Sequence, residues 1–276
     1  MPELPEAETI ARGLHAAIAG QRVQRVRVHR EEVVEPMTPA AFRRALTGRR
    51  VQSVSRRAKW IVASLDDGAR WVTQLRMTGR FTWNPPSALR TEPHLSISLL
   101  LDGTQGGGVL RFYDIRRFGR VWVLDPAGWS ALDARLGIEP LSREFSRRSL
   151  AGLLDGSRAP LRNVLLDQKR VAGLGNVYAN EACYLAQLDP RRLAQDLDES
   201  EIERLHRAIK TVLRSAVERR GTSFSDYRDI LGGEGEFQND LEVYGRSGEP
   251  CRRCGGAIAR IVLAGRSAFF CPGCQH

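Results

Sequence analysis

The chain lacks any apolar run of the ~18 residues that a membrane-spanning helix requires, and its acidic start has no basic segment followed by an apolar one. A cytoplasmic protein without a membrane partner is therefore expected. Cysteine is scarce, with five in 276 residues, and four of them form two tight pairs near the C-terminus, which argues against a disulfide framework. Cys183 lies in a helical pattern, so a buried, inert thiol is expected there.

Lysine is also scarce, since only three of the 42 Lys and Arg residues are lysine, and acidic residues number 32. The net charge of +10 is thus carried mainly by arginine, whose planar guanidinium suits phosphate groups. Nucleic acid is the first partner to consider, although a solubilising surface charge explains the composition equally well. The hydrophobic content of 42% and the length are sufficient for two domains.

Hydrophobic periodicity divides the chain into a strand-rich half and a helical half. Ile10, Leu14 and Ile18 recur at four-residue spacing, which predicts an amphipathic helix over residues 5–20. Strands are predicted at residues 22–29, 51–65, 71–77, 94–101, 109–113 and 120–124. Later helices are predicted at residues 149–154, 160–168, 176–186 and 199–219, and a mobile glycine-rich loop at 223–239. The first half therefore indicates a β-sandwich or barrel with attached helices, and the pattern changes between residues 125 and 146.

The two C-terminal cysteine pairs give the most specific local signal. Each pair has CxxC spacing, and the sixteen residues between the pairs suit a β-hairpin, so four thiolates can meet at one ion; they are Cys251, Cys254, Cys271 and Cys274. This pattern predicts one structural zinc ion with a closed tetrahedral shell. Reactive or disulfide-linked cysteines are the alternative, and a hydrolytic zinc would need an open coordination position that four cysteines do not leave.

The first residues offer a chemically distinctive amine. Removal of Met1 would leave Pro2 with a secondary amine, and an α-amino group titrates near pH ~8, so a nucleophilic fraction exists at neutral pH. Glu3 and Glu6 stand within one helical turn as proton donors and acceptors. The same residues also make a good helix start, which is the simpler interpretation.

Two turns carry residues suited to DNA. The Gly173–Asn176 stretch reads as a glycine turn before a helix, whose N–H groups can seat a phosphate, although a plain helical hairpin explains it equally. A dinucleotide fingerprint is a weak interpretation, because no strand precedes these glycines. Arg116 and Phe118 share a predicted turn and could fill the gap left by an extruded base, with Met77 as a further apolar candidate; core packing is the alternative.

Together these residues resemble the formamidopyrimidine-DNA glycosylase family, the helix-two-turn-helix DNA glycosylases. The resemblance covers nearly the whole chain, and besides the four cysteines it is carried by residues 2–6 (PELPE), 56–59 (RRAK), 77–79 (MTG), 114–119 (DIRRFG), 136–142 (LGIEPLS), 173–176 (GLGN) and 243–246 (VYGR). The family fold implies an α+β protein: an N-terminal β-sandwich with flanking helices, a helical domain and a zinc-finger hairpin, with DNA bound in a cleft. On this chain the domains are expected at residues 1–133, 134–240 and 241–276.

The resemblance implies excision of oxidised purines from double-stranded damaged DNA by a bacterial, monomeric enzyme without a small-molecule cofactor. It assigns the catalytic roles to Pro2 as nucleophile, Glu3 as proton carrier, Lys59 and Arg266, with Glu6 bracing the site. Lys59, Asn176 and Arg266 are expected to hold phosphates, and Met77, Arg116 and Phe118 to occupy the void. Further DNA contacts are expected from His94, Arg117 and Arg162. A Schiff base at Pro2 followed by β- and δ-elimination would cut the strand.

Four positions depart from the family pattern. Gln74 stands where many relatives have histidine, and His94 lacks the second histidine of a pair. Arg162 replaces a lysine, which preserves the charge, and Ser225 falls where relatives often carry a basic residue in the lesion-recognition loop. Lesion preference is therefore less determined than the reaction type.

Two alternative functions stay open. The sister branch of the same fold removes oxidised pyrimidines, but it typically carries glycine where this chain has Leu4. A non-catalytic zinc-finger DNA-binding protein is the alternative from another class, and the joint presence of Pro2, Glu3 and Lys59 argues against it.

Overall fold

The structure is a computed structural model that describes residues 2–85, 93–103, 106–224 and 227–276. The chain divides into two compact units, one of Met1–Ala134 with Arg220–Glu236 and one of Arg135–Arg219 with Phe237–His276. The first unit ends inside the window in which the sequence pattern changes. This division places residues 220–236 in the first unit and does not separate the finger expected at residues 241–276, so the three expected domains stay a prediction.

In the described residues, the first unit is a sandwich of two four-stranded antiparallel sheets. Its strands are β1 (Arg22–Val28), β2 (Val51–Arg57), β3 (Trp60–Leu65), β4 (Arg70–Gln74), β5 (Gly79–Asn84), β6 (Leu95–Asp102), β7 (Gly108–Asp114) and β8 (Arg120–Leu124). One sheet has the order β1-β6-β7-β5 and the other β2-β3-β4-β8. Aromatic rings fill the core: the centroids of Phe81 and Phe112 lie 5.0 Å apart, and Trp71 meets Phe81 edge-on.

The strand predictions hold with two differences. The single strand predicted over residues 51–65 is a hairpin, because Ala58 adopts a left-handed φ of 54° and turns the chain between β2 and β3. Strand β5 was not predicted, since Gly79, Thr82 and Asn84 interrupt its apolar residues. It pairs with β7 at the edge of its sheet, where tertiary pairing outweighs weak local propensity.

Helix α1 (Leu4–Ile18) covers β2 and β3 of the first unit, as its amphipathic pattern predicts. Ile10, Leu14 and Ile18 are almost fully buried against the sandwich core. The first unit also contains α2 (Pro39–Leu46) and α3 (Pro126–Asp133). Helix α1 is thereby fixed along its length, so its first turn is an anchored part of the fold.

The segment of residues 220–236 packs on the first unit through two apolar side chains. Tyr227 and Ile230 belong to the sandwich core, and Ile230 packs against Gly13 of α1. The Trp83 N–H on β5 donates to the carbonyl of Ile230 at 3.1 Å. The described residues of this segment are irregular, as expected for a loop over residues 223–239, and its buried side chains and backbone hydrogen bonds argue against its mobility.

The second unit is helical and ends in a β-hairpin. It contains α4 (Arg147–Leu154), α5 (Leu161–Leu166), α6 (Asn176–Leu185), α7 (Glu199–Glu218) and the hairpin strands β9 (Ala259–Leu263) and β10 (Arg266–Phe270). Asp198 caps α7, since its side chain accepts from the Glu201 N–H at 2.8 Å. Cys183 is fully buried on α6, as expected. The predicted α+β class with a sandwich, a helical domain and a hairpin is thus confirmed.

Glu181 of α6 anchors the chain that leads into the hairpin. Its carboxylate accepts from the backbone N–H groups of Glu242, Val243 and Tyr244 at 2.8–3.1 Å. Burial raises the pKa of Glu181, and these three donors oppose that shift by stabilising the ionised form. None of the helices in the described part of the chain combines the length and apolarity that crossing a membrane requires.

Candidate functional site

The first turn of α1 concentrates buried polar groups around Pro2. Pro2, Glu3 and Glu6 are all buried, and Glu3 is the N-cap residue of the helix that begins at Leu4. The Glu3 N–H donates to Glu6 Oε2 at 2.7 Å. The N-terminal end of a helix carries unpaired N–H groups and partial positive charge, which stabilise carboxylates there. Pro2 therefore precedes a fixed turn with a carboxylate on the adjacent residue.

The second oxygen of Glu6 is held by the chain that follows α7. The Thr222 N–H donates to Glu6 Oε1 at 2.8 Å, and the preceding Gly221 has a φ of +83°. A Cβ atom on Gly221 would lie 2.7 Å from Glu6 Oε1 and 2.8 Å from its Cγ. Only glycine combines this backbone conformation with so close an approach, so Gly221 permits the contact that holds Glu6.

Hydrogen bonds also link other described residues of the segment of residues 220–236. The Tyr227 hydroxyl donates to the carbonyl of Arg220 at 2.9 Å, and the Ser223 hydroxyl accepts from the Gly235 N–H at 2.9 Å. Burial, and then the negative charge of Glu6, raise the pKa of Tyr227, which keeps it a neutral donor. Ser225, expected in the lesion-recognition loop, lies outside the described residues.

Lys59 lies on the tight turn between β2 and β3, next to Ala58. The turn is tied to α1 by Arg56, whose Nε donates to Glu8 Oε2 at 3.0 Å and whose Nη1 donates to the Ala58 carbonyl at 2.9 Å. Arg56 is largely buried in this bridge, with 9% of its side chain exposed. The turn that carries the ammonium group of Lys59 is thus fastened to the helix that begins beside Pro2. The pair of Glu8 and Arg56 is not predictable from the sequence, because nothing in the spacing of 48 residues indicates contact.

The structure brings Met77, Arg116 and Phe118 together on the surface of the first unit. Arg116 Nη1 lies 3.0 Å from Met77 Sδ, and its guanidinium carbon lies 4.9 Å from the centroid of the Phe118 ring. Met77 is 40% exposed and Phe118 50% exposed. Core packing, the alternative for these side chains, is therefore wrong. An exposed apolar pair around a guanidinium has the size and charge to enter a base stack beside phosphates.

Asp114 supports the turn that carries Arg116 and Phe118. Its Oδ1 accepts from the Thr78 hydroxyl at 2.5 Å, and its Oδ2 accepts from the Gly119 N–H at 2.6 Å. The Arg116 N–H donates to the Thr78 hydroxyl at 3.0 Å. Asp114 is almost fully buried, so the turn is built on a desolvated carboxylate. The supporting roles of Asp114 and Thr78 are not predictable from the sequence, because they depend on a contact across 36 residues.

The other surface residues expected to meet DNA lie apart from regular structure or at its ends. Arg117 is exposed with a φ of 57°, and its Nη1 lies 3.7 Å from Glu32 Oε1. His94 is exposed with a φ of 71° and precedes β6 instead of beginning it. Gln74, which replaces a histidine of many relatives and for which no DNA contact is expected, is the half-buried last residue of β4.

In the second unit, Gln168 shapes the glycine turn before α6. Its amide nitrogen donates to the carbonyls of Leu166 and Leu174, and its amide oxygen accepts from the Gly173 N–H at 2.9 Å. This turn presents Asn176 as the first residue of α6, half-buried at the helix N-terminus. The predicted helix, glycine turn and helix are confirmed, and no strand precedes the turn among the described residues of this unit.

Arg162 does not lie where a DNA-contacting residue would. Its side chain is fully buried, and its Nη2 donates to Asn176 Oδ1 and, at 3.0 Å, to the carbonyl of Ser267. The expectation that Arg162 touches DNA therefore conflicts with its burial. Arg266, by contrast, is exposed at the start of β10. The family resemblance suggested a DNA contact for Arg162, and only tertiary packing reveals its internal partners.

The four paired cysteines converge on one point. Their sulfur atoms all lie within 4.8 Å of one another, with Cys254 and Cys271 at 3.4 Å and Cys251 and Cys274 at 3.9 Å. These distances are too long for a disulfide bond of about 2.05 Å. Four thiolates at about 2.3 Å from a tetrahedral zinc ion lie about 3.8 Å apart, which matches the observed spacing. The residues thus fit one zinc ion with no position left for substrate.

Comparison with known proteins covers almost the entire chain. Three family models match in succession: the formamidopyrimidine-DNA glycosylase N-terminal domain at residues 1–121, its H2TH domain at 136–228, and the zinc finger found in FPG and IleRS at 248–276. The formamidopyrimidine-DNA glycosylase of Herpetosiphon aurantiacus is 43% identical over the full length of both chains. That of Chloroflexus aurantiacus is 42% identical over 100% of this chain and 98% of its own.

Solved structures agree with this similarity. A Lactococcus lactis FPG mutant, in complex with DNA containing Fapy-dG, superposes with a TM-score of 0.91 at 34% identity, covering both chains completely. The MutM (FPG) protein of Thermus thermophilus has a TM-score of 0.88 at 40% identity, covering 99% of this chain and 98% of its own. With matching models for the sandwich, the helical domain and the finger, and full-length relatives above 40% identity, the chain belongs to the formamidopyrimidine-DNA glycosylase family.

Proposed function

We propose that this protein is a bifunctional DNA glycosylase and AP lyase of base excision repair, which removes oxidised purines such as 8-oxoguanine and formamidopyrimidines. One observation carries the proposal: Pro2 is buried beside Glu3, whose backbone N–H is bonded to Glu6 at the start of α1, in a chain related over its full length to formamidopyrimidine-DNA glycosylases. Leu4, fully buried behind Glu3, favours the purine-lesion branch.

The reaction begins at the amine of Pro2 once Met1 has been removed. Its lone pair attacks C1′ of the damaged nucleotide, the bond from C1′ to the base breaks, and the base leaves with the bonding electrons. The proton that the Pro2 nitrogen then loses balances the proton that the departing base takes up. Glu3 then protonates the ring oxygen, the sugar opens, and a C1′ iminium forms. This iminium is permanently cationic, because the nitrogen of a secondary amine has no proton left to lose.

Strand cleavage follows from the positive charge of the iminium. It acidifies the C2′ proton, whose removal expels the 3′ phosphate, and a second elimination expels the 5′ phosphate. Hydrolysis returns the amine of Pro2. The expected products are the free base, the sugar fragment and a one-nucleotide gap bounded by two phosphates.

DNA binding is assigned to residues of both units. Lys59, Asn176 and Arg266 bind phosphates beside the lesion, while exposed Met77 and Phe118, with Arg116 between them, enter the void in the duplex. Base extrusion costs a few kcal/mol, and insertion of these side chains offsets part of it. Zinc bound by the four thiolates holds the hairpin that presents Arg266. The enzyme acts as a monomer on double-stranded DNA, and the substrate places it at the bacterial nucleoid.

Borohydride trapping tests the nucleophile. We expect reduction during incubation with an 8-oxoguanine duplex to give a covalent adduct at Pro2, and an N-terminal extension that acylates the amine to abolish the adduct while DNA binding persists. Apart from the added residues, the proteins with and without the extension are identical, so they form a matched pair. Tight DNA binding without any adduct would instead support a non-catalytic DNA-binding protein.

The same assay compares two lesion classes. Lactococcus lactis FPG has been crystallised with DNA containing an oxidised pyrimidine, which favours including such a substrate. We expect faster single-turnover excision of 8-oxoguanine than of an oxidised pyrimidine. The opposite order would assign the chain to the pyrimidine-lesion branch without affecting the Schiff-base chemistry.

A further inference from the structure

Arg162 connects three elements of the second unit from a fully buried position. It lies on α5, its Nη2 donates to the side chain of Asn176 on α6, and the same nitrogen donates to the carbonyl of Ser267 on β10 at 3.0 Å. Asn176 Nδ2 donates to this same carbonyl at 3.1 Å. One backbone oxygen of the hairpin therefore accepts from both side chains, and these two are also bonded to each other.

Bonds to the Ser267 carbonyl also hold the backbone of the residue before it, Arg266. Arg266, the exposed phosphate-binding candidate, directly precedes Ser267 at the start of β10. A second tie lies two residues further on, where the Phe269 N–H donates to Asn180 Oδ1 at 2.8 Å and Asn180 Nδ2 donates to the Asn176 carbonyl at 2.5 Å. The backbone that carries Arg266 is thus bonded to both ends of the first turn of α6.

We propose that Arg162 is a positioning residue that presets the spacing of Asn176 and Arg266, so that both meet the phosphates beside the lesion while Arg162 itself never touches DNA. The inference rests on the proposed function, since it takes Asn176 and Arg266 as phosphate-binding groups. Two groups on separate elements bind a fixed ligand more tightly when their spacing is set before binding, because less freedom is lost. Full burial leaves Arg162 no surface from which to contact a phosphate.

Two substitutions separate hydrogen bonding from packing at this position. Arg162→Met keeps an unbranched apolar stem but removes every donor, so the affinity for a lesion duplex is expected to fall about tenfold or more. Arg162→Lys should restore most of the affinity, because a single nitrogen makes both bonds here and an ammonium group has three donors. Arg207→Met controls for the loss of one positive charge, since Arg207 is exposed on α7 and pairs with Glu203.

A double-mutant cycle with Arg266→Met distinguishes positioning from direct contact. The loss of one contact between a cationic side chain and a DNA phosphate reduces the magnitude of the slope of log affinity against log salt concentration by about 0.9. If Arg162 acts through Arg266, each single variant and the double variant show about the same reduced slope, and the affinity losses are not additive. A direct contact would instead give additive losses and a slope reduced by about 1.8 in the double variant, which would overturn the proposal.

Controls keep this inference separate from the proposed function. Binding is measured on duplexes containing a reduced abasic site, which need no Schiff base, and trapping of the wild-type protein reports the chemistry independently. If the wild type traps DNA while Arg162→Met keeps its affinity and salt slope, the positioning role is refuted and the proposed function stands. Folding is checked by one zinc per chain. If Arg162→Met does not bind one zinc per chain, Arg162→Lys replaces it in the test. Any loss of affinity that Arg162→Lys causes must then disappear when Arg266 is already methionine, because Arg162 acts through Arg266.

Discussion

Gly221→Ala tests whether the placement of Glu6 depends on the backbone of the segment of residues 220–236. An alanine Cβ would lie 2.7 Å from Glu6 Oε1, 2.8 Å from Cγ and 3.0 Å from Cδ. The flexible end of Glu6 cannot move away freely, because its two oxygens accept from the Glu3 and Thr222 N–H groups. We therefore expect Glu6 to shift and the start of α1 beside Pro2 to loosen.

The magnitude follows from two separate effects. A left-handed φ costs a non-glycine residue about 1–2 kcal/mol, and overpacking a filled site costs about 1–3 kcal/mol. Gly20→Ala is the matched control, since Gly20 has a φ of +82° and nothing within 4 Å of its added Cβ. Gly221→Ala should therefore lower the free energy of unfolding by about 1–3 kcal/mol more than Gly20→Ala does.

Thermal unfolding, amide exchange and borohydride trapping measure this prediction. We expect Gly221→Ala to melt about 2–4 °C lower for each additional kcal/mol, to lose protection at the Thr222 N–H and to form the adduct more slowly. In a Glu6→Ala background the steric term disappears, so Gly221→Ala should then cost no more than Gly20→Ala. Equal stability losses for the two alanine variants in the wild-type background, with unchanged trapping by Gly221→Ala, would refute this account.

Three further predictions concern other parts of the molecule. Asp114→Asn should destabilise the first unit by about 1–3 kcal/mol, because a buried acceptor of the Thr78 and Gly119 donors is weakened. It should also slow base extrusion, which a fluorescent base analogue measures. The control is Asp102→Asn, exposed at the end of β6, which should leave the stability and the extrusion rate unchanged. Chelation should release one zinc ion per chain and abolish lesion binding reversibly. The control Cys183→Ser should keep its full zinc content. Lesion binding that survives complete zinc loss would contradict the structural role of the finger. Burial raises the pKa of Cys183 to about 12, so its thiolate fraction at pH 9 is about 0.1%. Iodoacetamide should therefore leave Cys183 unmodified in the folded, zinc-bound protein. Labelling of Cys183 would instead show that the thiol is accessible. Because that folded pKa lies above the unfolded one, the stabilising contribution of the neutral thiol is full below about pH 9 and is lost as pH rises toward 12.

Local chemistry made much of the fold and site predictable. The repeat of Ile10, Leu14 and Ile18 determines one buried face of α1 whatever packs against it. The two CxxC pairs predicted the convergence of four sulfur atoms, because the tight turn within each pair brings its two thiols together. Such signals are contained in a few adjacent residues, so a single sequence carries them.

Other features depend on contacts between residues far apart in the chain. Strand β5 has a weak local pattern and exists because it pairs with β7. The glycines of residues 223–239 predicted a mobile loop, yet Tyr227 and Ile230 pack in a sandwich built from the first half of the chain. Composition cannot reveal such partners, because they are defined only once the other elements have folded.

The sequence by itself determined which chemical groups are present: the proline that precedes two glutamates, the turn with arginine and phenylalanine, and the metal-binding thiols. Only the tertiary structure decided which groups hold which. The Glu6 carboxylate accepts from the N–H groups of Glu3 and Thr222. Arg162, expected to contact DNA, is instead buried and donates to Asn176 and the Ser267 carbonyl. The physical reason is that charge and hydrogen-bonding capacity belong to a residue, whereas burial and choice of partner belong to the packed fold.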